Sequence, residues 1–132
     1  MAEILVVDDD AVTLKVIRKV LKDAGHHVIL ASDGTRALEV LEDNSYIEMI
    51  ITDVIMPRLD GRDLVAALRR DSRFSEIPTL IMSATIKVSE IVKLLESGAS
   101  RFVAKPVRGE KLLAEVNACL APPRDHDEAA NG

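Results

Sequence analysis

The sequence lacks several features that would point to particular classes of protein. Its 132 residues include one cysteine, Cys119, so no internal disulfide can form. Lysine and arginine form no dense run and the net charge is −5, which argues against direct binding to nucleic acid. The apolar stretches are strand-sized, too short for a membrane helix, and the chain enters a strand pattern without a signal peptide. We therefore expect a soluble, cytoplasmic, single-domain protein.

What the sequence does contain is an alternation of two kinds of segment. Short apolar runs rich in β-branched residues are typical of strands buried on both faces. They occupy residues 4–7, 28–31, 49–52, 79–83 and 101–104. Between them lie segments in which apolar residues recur with helical spacing. The stripes are Val12, Val16, Ile17, Val20 and Leu21; Ala37, Leu38 and Leu41; Leu64, Val65 and Leu68; Val88, Ile91, Val92 and Leu95; and Leu112, Leu113 and Val116.

Two details of these helical stripes carry expectations. We expect Val88 and Val92, on the fourth helix, to belong to the core rather than to an interface. We expect Cys119, which is in line with Leu112 and Val116, to be a small core residue rather than a reactive thiol.

Turn residues separate the segments where this pattern requires it. Gly25 and Gly98 stand where helices should end in a left-handed cap, and Asp33-Gly34 and Asp60-Gly61 mark turns before helices. Residues 1–121 then form one (βα)5 domain, which implies a parallel sheet with helices on both faces. The polar segment 122–132 has no periodicity, so we expect it to be disordered.

Polar residues follow the predicted strands at their carboxyl ends, where open α/β sheets bind their ligands. Asp8, Asp9 and Asp10 follow the first strand. Asp53, Ser83 and Lys105 lie at the ends of the third, fourth and fifth strands, respectively. Carboxylates this close together repel one another unless a cation offsets the charge. Lys105 supplies one positive charge, and Mg²⁺ is a hard cation that suits carboxylates and phosphate oxygens. A carboxylate in such a site can attack phosphorus and form an aspartyl phosphate.

Several short motifs resemble the receiver domains of bacterial response regulators. In chain order they are Val6-Val7-Asp8-Asp9, Asp53 with Met56-Pro57 and Asp60-Gly61, Ser83-Ala84, Phe102, and Lys105-Pro106. Each motif is weak alone, but their order within a (βα)5 pattern makes the signal strong. The resemblance implies a flavodoxin-like (βα)5 doubly wound parallel sheet with strand order 2-1-3-4-5. It also implies a stand-alone signalling protein that is not an enzyme beyond its own phosphorylation and dephosphorylation.

The resemblance assigns roles to the acidic cluster. Asp53 would be the phosphoacceptor, receiving a phosphoryl group from a sensor histidine kinase or a histidine-phosphotransfer protein. Asp9 would bind Mg²⁺ directly, Asp8 mainly through water, and Ile55 through its backbone carbonyl. Lys105 would contact a phosphoryl oxygen as a point charge.

The remaining roles concern the response to phosphorylation. The Ser83 hydroxyl and the Ala84 amide would contact phosphoryl oxygens, and Ser83 and Phe102 would act as the switch that changes the surface of helix 4, strand 5 and helix 5. That surface would bind a downstream protein, which the sequence does not identify. Phe102 lacks the hydroxyl of the tyrosine often found at this position. Lys105-Pro106 would be a cis peptide, a minority state even before proline.

Alternative interpretations remain open at this point. Asp8, Asp10 and Val12 also resemble the first motif of haloacid-dehalogenase phosphatases, with Asp8 as nucleophile, although the chain is short for that fold. A degenerate receiver that only binds proteins, and a receiver cut from a longer regulator, are two further alternatives. We expect Asp10 to cap the first helix rather than bind metal.

Overall fold

The computed structural model describes residues 1–85 and 87–121, and strands and helices alternate through these two ranges. The strands are β1 (Glu3–Val7), β2 (His27–Ala31), β3 (Met49–Asp53), β4 (Thr79–Ser83) and β5 (Arg101–Ala104). The helices are α1 (Ala11–Asp23), α2 (Gly34–Asp43), α3 (Gly61–Arg70), α4 (Val88–Glu96) and α5 (Gly109–Leu120). The predicted strands therefore match to within one residue at each end. The tail predicted from residue 122 lies outside the described residues.

All strand pairs are parallel, and the sheet order is β2-β1-β3-β4-β5. The flavodoxin-like order that the resemblance implied is thus confirmed. β3 and β4 are fully buried, whereas β2 and β5 lie at the two margins and are partly exposed. Because the strands are parallel and nearly in register, their carboxyl ends meet along one edge of the sheet.

The core divides into layers on the two faces of the sheet. Alternate side chains of a strand point to opposite faces, so Ile4 and Val6 pack with α1 and α5, whereas Leu5 and Val7 pack with α2 and α3. A smaller cluster around Ile81 joins α3 to α4. This is the doubly wound arrangement that the alternating pattern predicted.

Local signals at the helix ends behave as predicted. Asp10, Asp33 and Asp60 are the N-caps of α1, α2 and α3, and each accepts a hydrogen bond from a backbone N–H of the first turn. Gly25 (φ 96°) and Gly98 (φ 126°) adopt positive φ after α1 and α4. At both positions a residue with a Cβ would be strained.

The apolar stripe predicted for α4 is wrong. Val88 and Val92 are 75% and 46% exposed, and Leu95 is also exposed, while Leu94 is buried against Ile81. The apolar residues of α4 cover a wider arc than the strip that contacts the sheet, so spacing alone could not show which of them are buried. Val88 and Val92 are therefore surface residues, contrary to expectation.

The stripe predicted for α1 is wrong in part. Ile17 and Leu21 are buried as expected, but Val12 and Val16 are 68% and 51% exposed, and Leu14 is buried instead. Docking on the sheet selects one face of α1 and leaves the neighbouring apolar positions at the surface. Within the described residues, no helix has the length and apolar character needed to cross a membrane.

Candidate functional site

Three carboxylates meet at the carboxyl edge of the sheet. Asp8 follows β1 and Asp53 ends β3, and these strands are neighbours whose register pairs Val7 with Thr52. Asp8, Asp9 and Asp53 each place an oxygen within 4.8 Å of the others. Asp8 is fully buried and Asp53 nearly so, whereas Asp9 faces solvent. The set consists of hard oxygen donors, one of them open to solvent.

Lys105 follows β5, the strand at one margin of the sheet, and its side chain extends to this cluster. Its Nζ donates to Asp8 Oδ2 at 2.8 Å and to Asp53 Oδ2 at 3.1 Å. Its backbone N–H donates to the Ser83 carbonyl at 3.0 Å, which fixes the start of the side chain beside β4. Burial alone would lower the pKa of Lys105, but its hydrogen bonds to the two carboxylates raise it above its usual value. The ammonium is therefore a fixed positive charge.

Asp53 occupies a different electrostatic environment from a surface aspartate. Burial and the neighbouring charge of Asp8 raise the pKa of Asp53, against the lowering effects of Lys105 and the Val54 N–H. Oδ1 accepts the Val54 N–H at 2.8 Å while Oδ2 faces Lys105, so both oxygens have fixed directions. The result is an oriented carboxylate that is more basic than usual.

Asp8 and Asp10 have separate functions despite their proximity. Asp8 Oδ1 accepts the Asp10 backbone N–H at 2.9 Å, while Oδ2 accepts from Lys105. The Asp10 carboxylate turns away and accepts from the Thr13 hydroxyl at 2.6 Å and the Val12 N–H at 3.2 Å. These bonds, that from Thr13 above all, lower the pKa of Asp10. Asp10 therefore caps α1, as expected.

The ends of β4 and β5 complete the edge. Ser83 is buried, its Oγ accepts the Thr85 N–H at 3.3 Å, and Ala84 is exposed next to it. Phe102 is half-buried and packs against the small cluster between α3 and α4. The Lys105–Pro106 peptide bond is cis, the form that the resemblance implied.

The loop between β3 and α3 borders the cluster and carries Ile55, whose side chain is 54% exposed. The Gly61 N–H donates to the Val54 carbonyl at 2.7 Å, and a Cβ at Gly61 would lie 2.4 Å from the Asp53 carbonyl oxygen. Only glycine permits this close approach, so the loop closes directly behind Asp53.

Sequence reasoning missed one pair beside the site. Arg58, in the same loop, is paired with Asp33 at the start of α2. The two residues are 25 positions apart and belong to different crossovers. The Asp33-Gly34 turn was visible in the sequence, but no local signal linked it to Arg58.

A parallel α/β sheet with a lysine-paired acidic cluster at its carboxyl edge is an arrangement that can hold a divalent cation and a phosphoryl group. The sequence pattern of the response regulator receiver domain matches residues 4–117, and the chain belongs to this family. It is thus a receiver domain of two-component signalling. In this family an aspartate accepts a phosphoryl group, the proteins work with sensor histidine kinases, and Mg²⁺ binds at an acidic pocket.

Individual relatives agree with this assignment. The chain is 38% identical over 126 residues to the response regulator MprA of Mycobacterium avium, covering 96% of this chain and 54% of the relative. It is 39% identical over 105 residues to the two-component response regulator ORR3 of Oryza sativa subsp. japonica, covering 80% of each. The chain therefore spans about half the length of MprA.

Solved structures show the same fold. The chemotaxis protein CheY4 of Vibrio cholerae superposes with a TM-score of 0.85 at 31% identity, covering 91% of this chain and 99% of that one. The receiver domain of the Francisella response regulator 1452 gives a TM-score of 0.82 at 30% identity, covering 90% and 96%.

Proposed function

We propose that Asp53 takes a phosphoryl group from a phosphohistidine partner, with Mg²⁺ bound, and that the modified domain then binds a downstream protein. One observation carries the proposal: the Lys105 ammonium is hydrogen-bonded to Asp53 and to Asp8, within a cluster that includes an oxygen of Asp9. Three of the residues that the resemblance nominated, Asp8, Asp9 and Lys105, thus lie around the Asp53 carboxylate. The family match over residues 4–117 supports a receiver domain spanning residues 1–121.

The donor set suits Mg²⁺. Oxygen atoms of Asp8, Asp9 and Asp53 lie within 4.8 Å of one another, and Mg²⁺ prefers one or two carboxylates together with waters and phosphate oxygens. Asp9 and Asp53 would be direct ligands, Asp8 would act mainly through water, and the Ile55 carbonyl would be a further ligand. Bound Mg²⁺ would offset charge on the phosphoryl oxygens during transfer.

The protein's own residues would orient and neutralise the reacting groups. An Asp53 carboxylate oxygen attacks phosphorus, forming a P–O bond while the P–N bond to the donor imidazole breaks and its electrons leave with the imidazole. The Val54 N–H donates to the Asp53 carboxylate and so fixes its orientation. Lys105 would exchange its contact with Asp53 for one with a phosphoryl oxygen. The Ser83 hydroxyl and the Ala84 N–H would donate to the other phosphoryl oxygens.

The switch would follow from these new contacts. Ser83 would move toward the phosphoryl group, and Phe102 would shift into the space beside it, as a two-state element biased by a local charge. The α4–β5–α5 surface would then change, and it already exposes Val88, Val92 and Leu95. Phe102 can fill space but has no hydroxyl, so the active surface would form without that hydrogen bond.

The donor would approach from the side of α1. A groove lined by Val12, Val16 and Pro106 opens beside Lys105. Exposed apolar side chains next to a polar site are typical of a protein-binding surface. This groove would receive the histidine-bearing partner in the cytoplasm, where we place the protein.

Phosphorylation with a small phosphodonor tests the proposal. Wild-type protein should incorporate about one phosphoryl group in the presence of Mg²⁺, measured by intact mass, and chelation should prevent it. Asp53→Asn should abolish incorporation. Asp10→Asn, which can still cap α1, serves as the matched control and should be labelled normally. Stoichiometric labelling of Asp53→Asn would move the nucleophile to Asp8 or elsewhere.

The alternatives are less well supported. A phosphatase of the haloacid-dehalogenase type would need Asp10 as its acid/base, but Asp10 is engaged as the α1 cap. A receiver that only binds proteins would not need the paired Lys105, and Mg²⁺ binding distinguishes the two cases.

A further inference from the structure

Arg58 has an unusual backbone conformation. Its φ is 62°, and among residues 1–85 and 87–121 it is the one non-glycine residue with positive φ. An L-residue in this left-handed region costs roughly 1–2 kcal/mol relative to ordinary conformations. Glycine would adopt the same φ without that cost, so any advantage of an arginine at this position comes from its side chain.

The side chain of Arg58 is paired with Asp33. Nε donates to Asp33 Oδ2 at 2.9 Å, and a terminal guanidinium nitrogen donates to the same oxygen. The Asp33 side chain is only 4% exposed, and its Oδ1 accepts the Arg36 N–H at 2.8 Å as the cap of α2. The Arg36 N–H and the Arg58 guanidinium both lower the pKa of Asp33. Arg58 therefore binds a carboxylate that α2 itself holds in place.

The backbone joins the same two segments. The Gly34 N–H donates to the Leu59 carbonyl at 3.0 Å, and a Cβ at Gly34 would lie 2.5 Å from that oxygen. The β3–α3 loop thus packs directly on the first turn of α2. At its ends the loop is closed by the hydrogen bond from Gly61 to Val54. Ile55 therefore lies between two residues whose carbonyls are held by hydrogen bonds, Val54 and Leu59.

We propose that Arg58 is a positioning residue for the phosphorylation site: its pairing with Asp33 holds the β3–α3 loop so that the Ile55 backbone is correctly placed for Mg²⁺. Arg58 touches neither metal nor phosphoryl group and acts through the loop. The pair thereby sets Mg²⁺ affinity, and through it the rate of phosphorylation at low Mg²⁺. This inference rests on the proposed function of Asp53.

Three variants separate the charge pair from the backbone strain. Arg58→Gly and Arg58→Asn fit a positive φ but lose the pair. Asp33→Asn keeps the α2 cap but loses the charge. The control is Arg73→Gln, which breaks a surface pair with Glu42 away from the acidic cluster.

Calorimetric titration with Mg²⁺ is the primary measurement. The three variants should bind Mg²⁺ about tenfold more weakly, the range seen when residues supporting metal ligands are changed. The Arg73→Gln control should bind like wild type. An Arg58→Gly/Asp33→Asn double variant should be no weaker than the single variants, because both remove one interaction.

Phosphorylation kinetics supply the second measurement. The Mg²⁺ concentration for half-maximal labelling should rise by the same factor, while the rate at saturating Mg²⁺ stays within about twofold of wild type. A purely structural pair would lower the melting temperature and leave Mg²⁺ affinity unchanged, and that result would overturn the proposal. If Asp33→Asn is too unstable to titrate, the Arg58 variants decide alone.

The controls distinguish the two proposals. If wild-type protein fails to bind Mg²⁺, or Asp53→Asn is still labelled, the proposed function is wrong. If wild type behaves as expected and the Arg58 and Asp33 variants match it, only the positioning function is wrong.

Discussion

Lys105 Nζ lies 2.8 Å from Asp8 Oδ2 and 3.1 Å from Asp53 Oδ2, so its shorter bond is to the fully buried Asp8 rather than to Asp53, the proposed phosphoacceptor. Lys105 is thus the main partner of a fully buried acid before it assists any reaction. These two contacts give Lys105 a structural function, because it neutralises charge in the acidic cluster.

Replacing Lys105 should therefore destabilise the metal-free protein. Lys105→Met leaves the Asp8 charge buried without its cation, and breaking a buried pair in this way costs about 3 kcal/mol. Urea unfolding in a chelating buffer measures the loss. Added Mg²⁺ should recover part of it, and Lys111→Met, which breaks a more exposed pair with Glu115, should cost much less. Equal losses for the two variants would contradict this account.

Replacing Asp53 should have the opposite effect. Burial and the charge of Asp8 raise its pKa, so the ionised carboxylate opposes folding at every pH above the pKa of the unfolded chain. Asp53→Asn should raise the melting temperature in metal-free buffer at pH 7. The difference should shrink as the pH falls and Asp53 becomes protonated in wild type. A lower melting temperature at pH 7 would show that the bond to Lys105 outweighs burial.

Ile55 is predicted to lengthen the life of the phosphorylated state. It lies two residues after Asp53, where a polar side chain could bind the attacking water, and its exposed side chain would crowd that water instead. Ile55→Asn should speed dephosphorylation several-fold, measured by loss of label after removal of the donor. Ile55→Val is the conservative control. An unchanged rate in the asparagine variant would remove the hypothesis.

Arg69 is predicted to be important for stability, although it is remote from the acidic cluster. Its guanidinium donates to the carbonyls of Gly98, Phe74, Ser75 and Ile77. Arg69→Met would leave these acceptors without that donor, at a cost of about 2–3 kcal/mol. Thermal unfolding should show the loss. Arg70→Met, at the exposed neighbouring position, should have little effect.

Cys119 is predicted to react slowly. It lies on α5 and packs against the core, and burial raises the pKa of its thiol from 9.0 to about 11. Between neutral pH and pH 8 its thiolate fraction should be about 100-fold below that of an ordinary thiol, since two pKa units separate them. Alkylation by iodoacetamide should be correspondingly slow and should accelerate in urea. Rapid alkylation of the folded protein would contradict this.

The sequence by itself determined the strands, their alternation with helices, and the residues at the strand ends. Buried parallel strands need continuous apolar runs, which are visible in the local sequence. Caps and turns need particular residue types, so positions such as Asp10, Asp60 and Gly98 can also be recognised from the local sequence. The family resemblance then supplied the sheet order and named Asp8, Asp9, Asp53, Ser83 and Lys105 as one site.

Only the tertiary structure decided which helix faces are buried and which distant groups meet. Val88 and Val92 were predicted to be core, yet α4 packs through Leu94, because its apolar arc is wider than the strip that contacts the sheet. The Arg58–Asp33 pair depends on two crossovers meeting in space, and the raised pKa of Asp53 depends on burial beside Asp8. Both arise from the packing of segments that are distant in sequence, so no local pattern of residues predicts them.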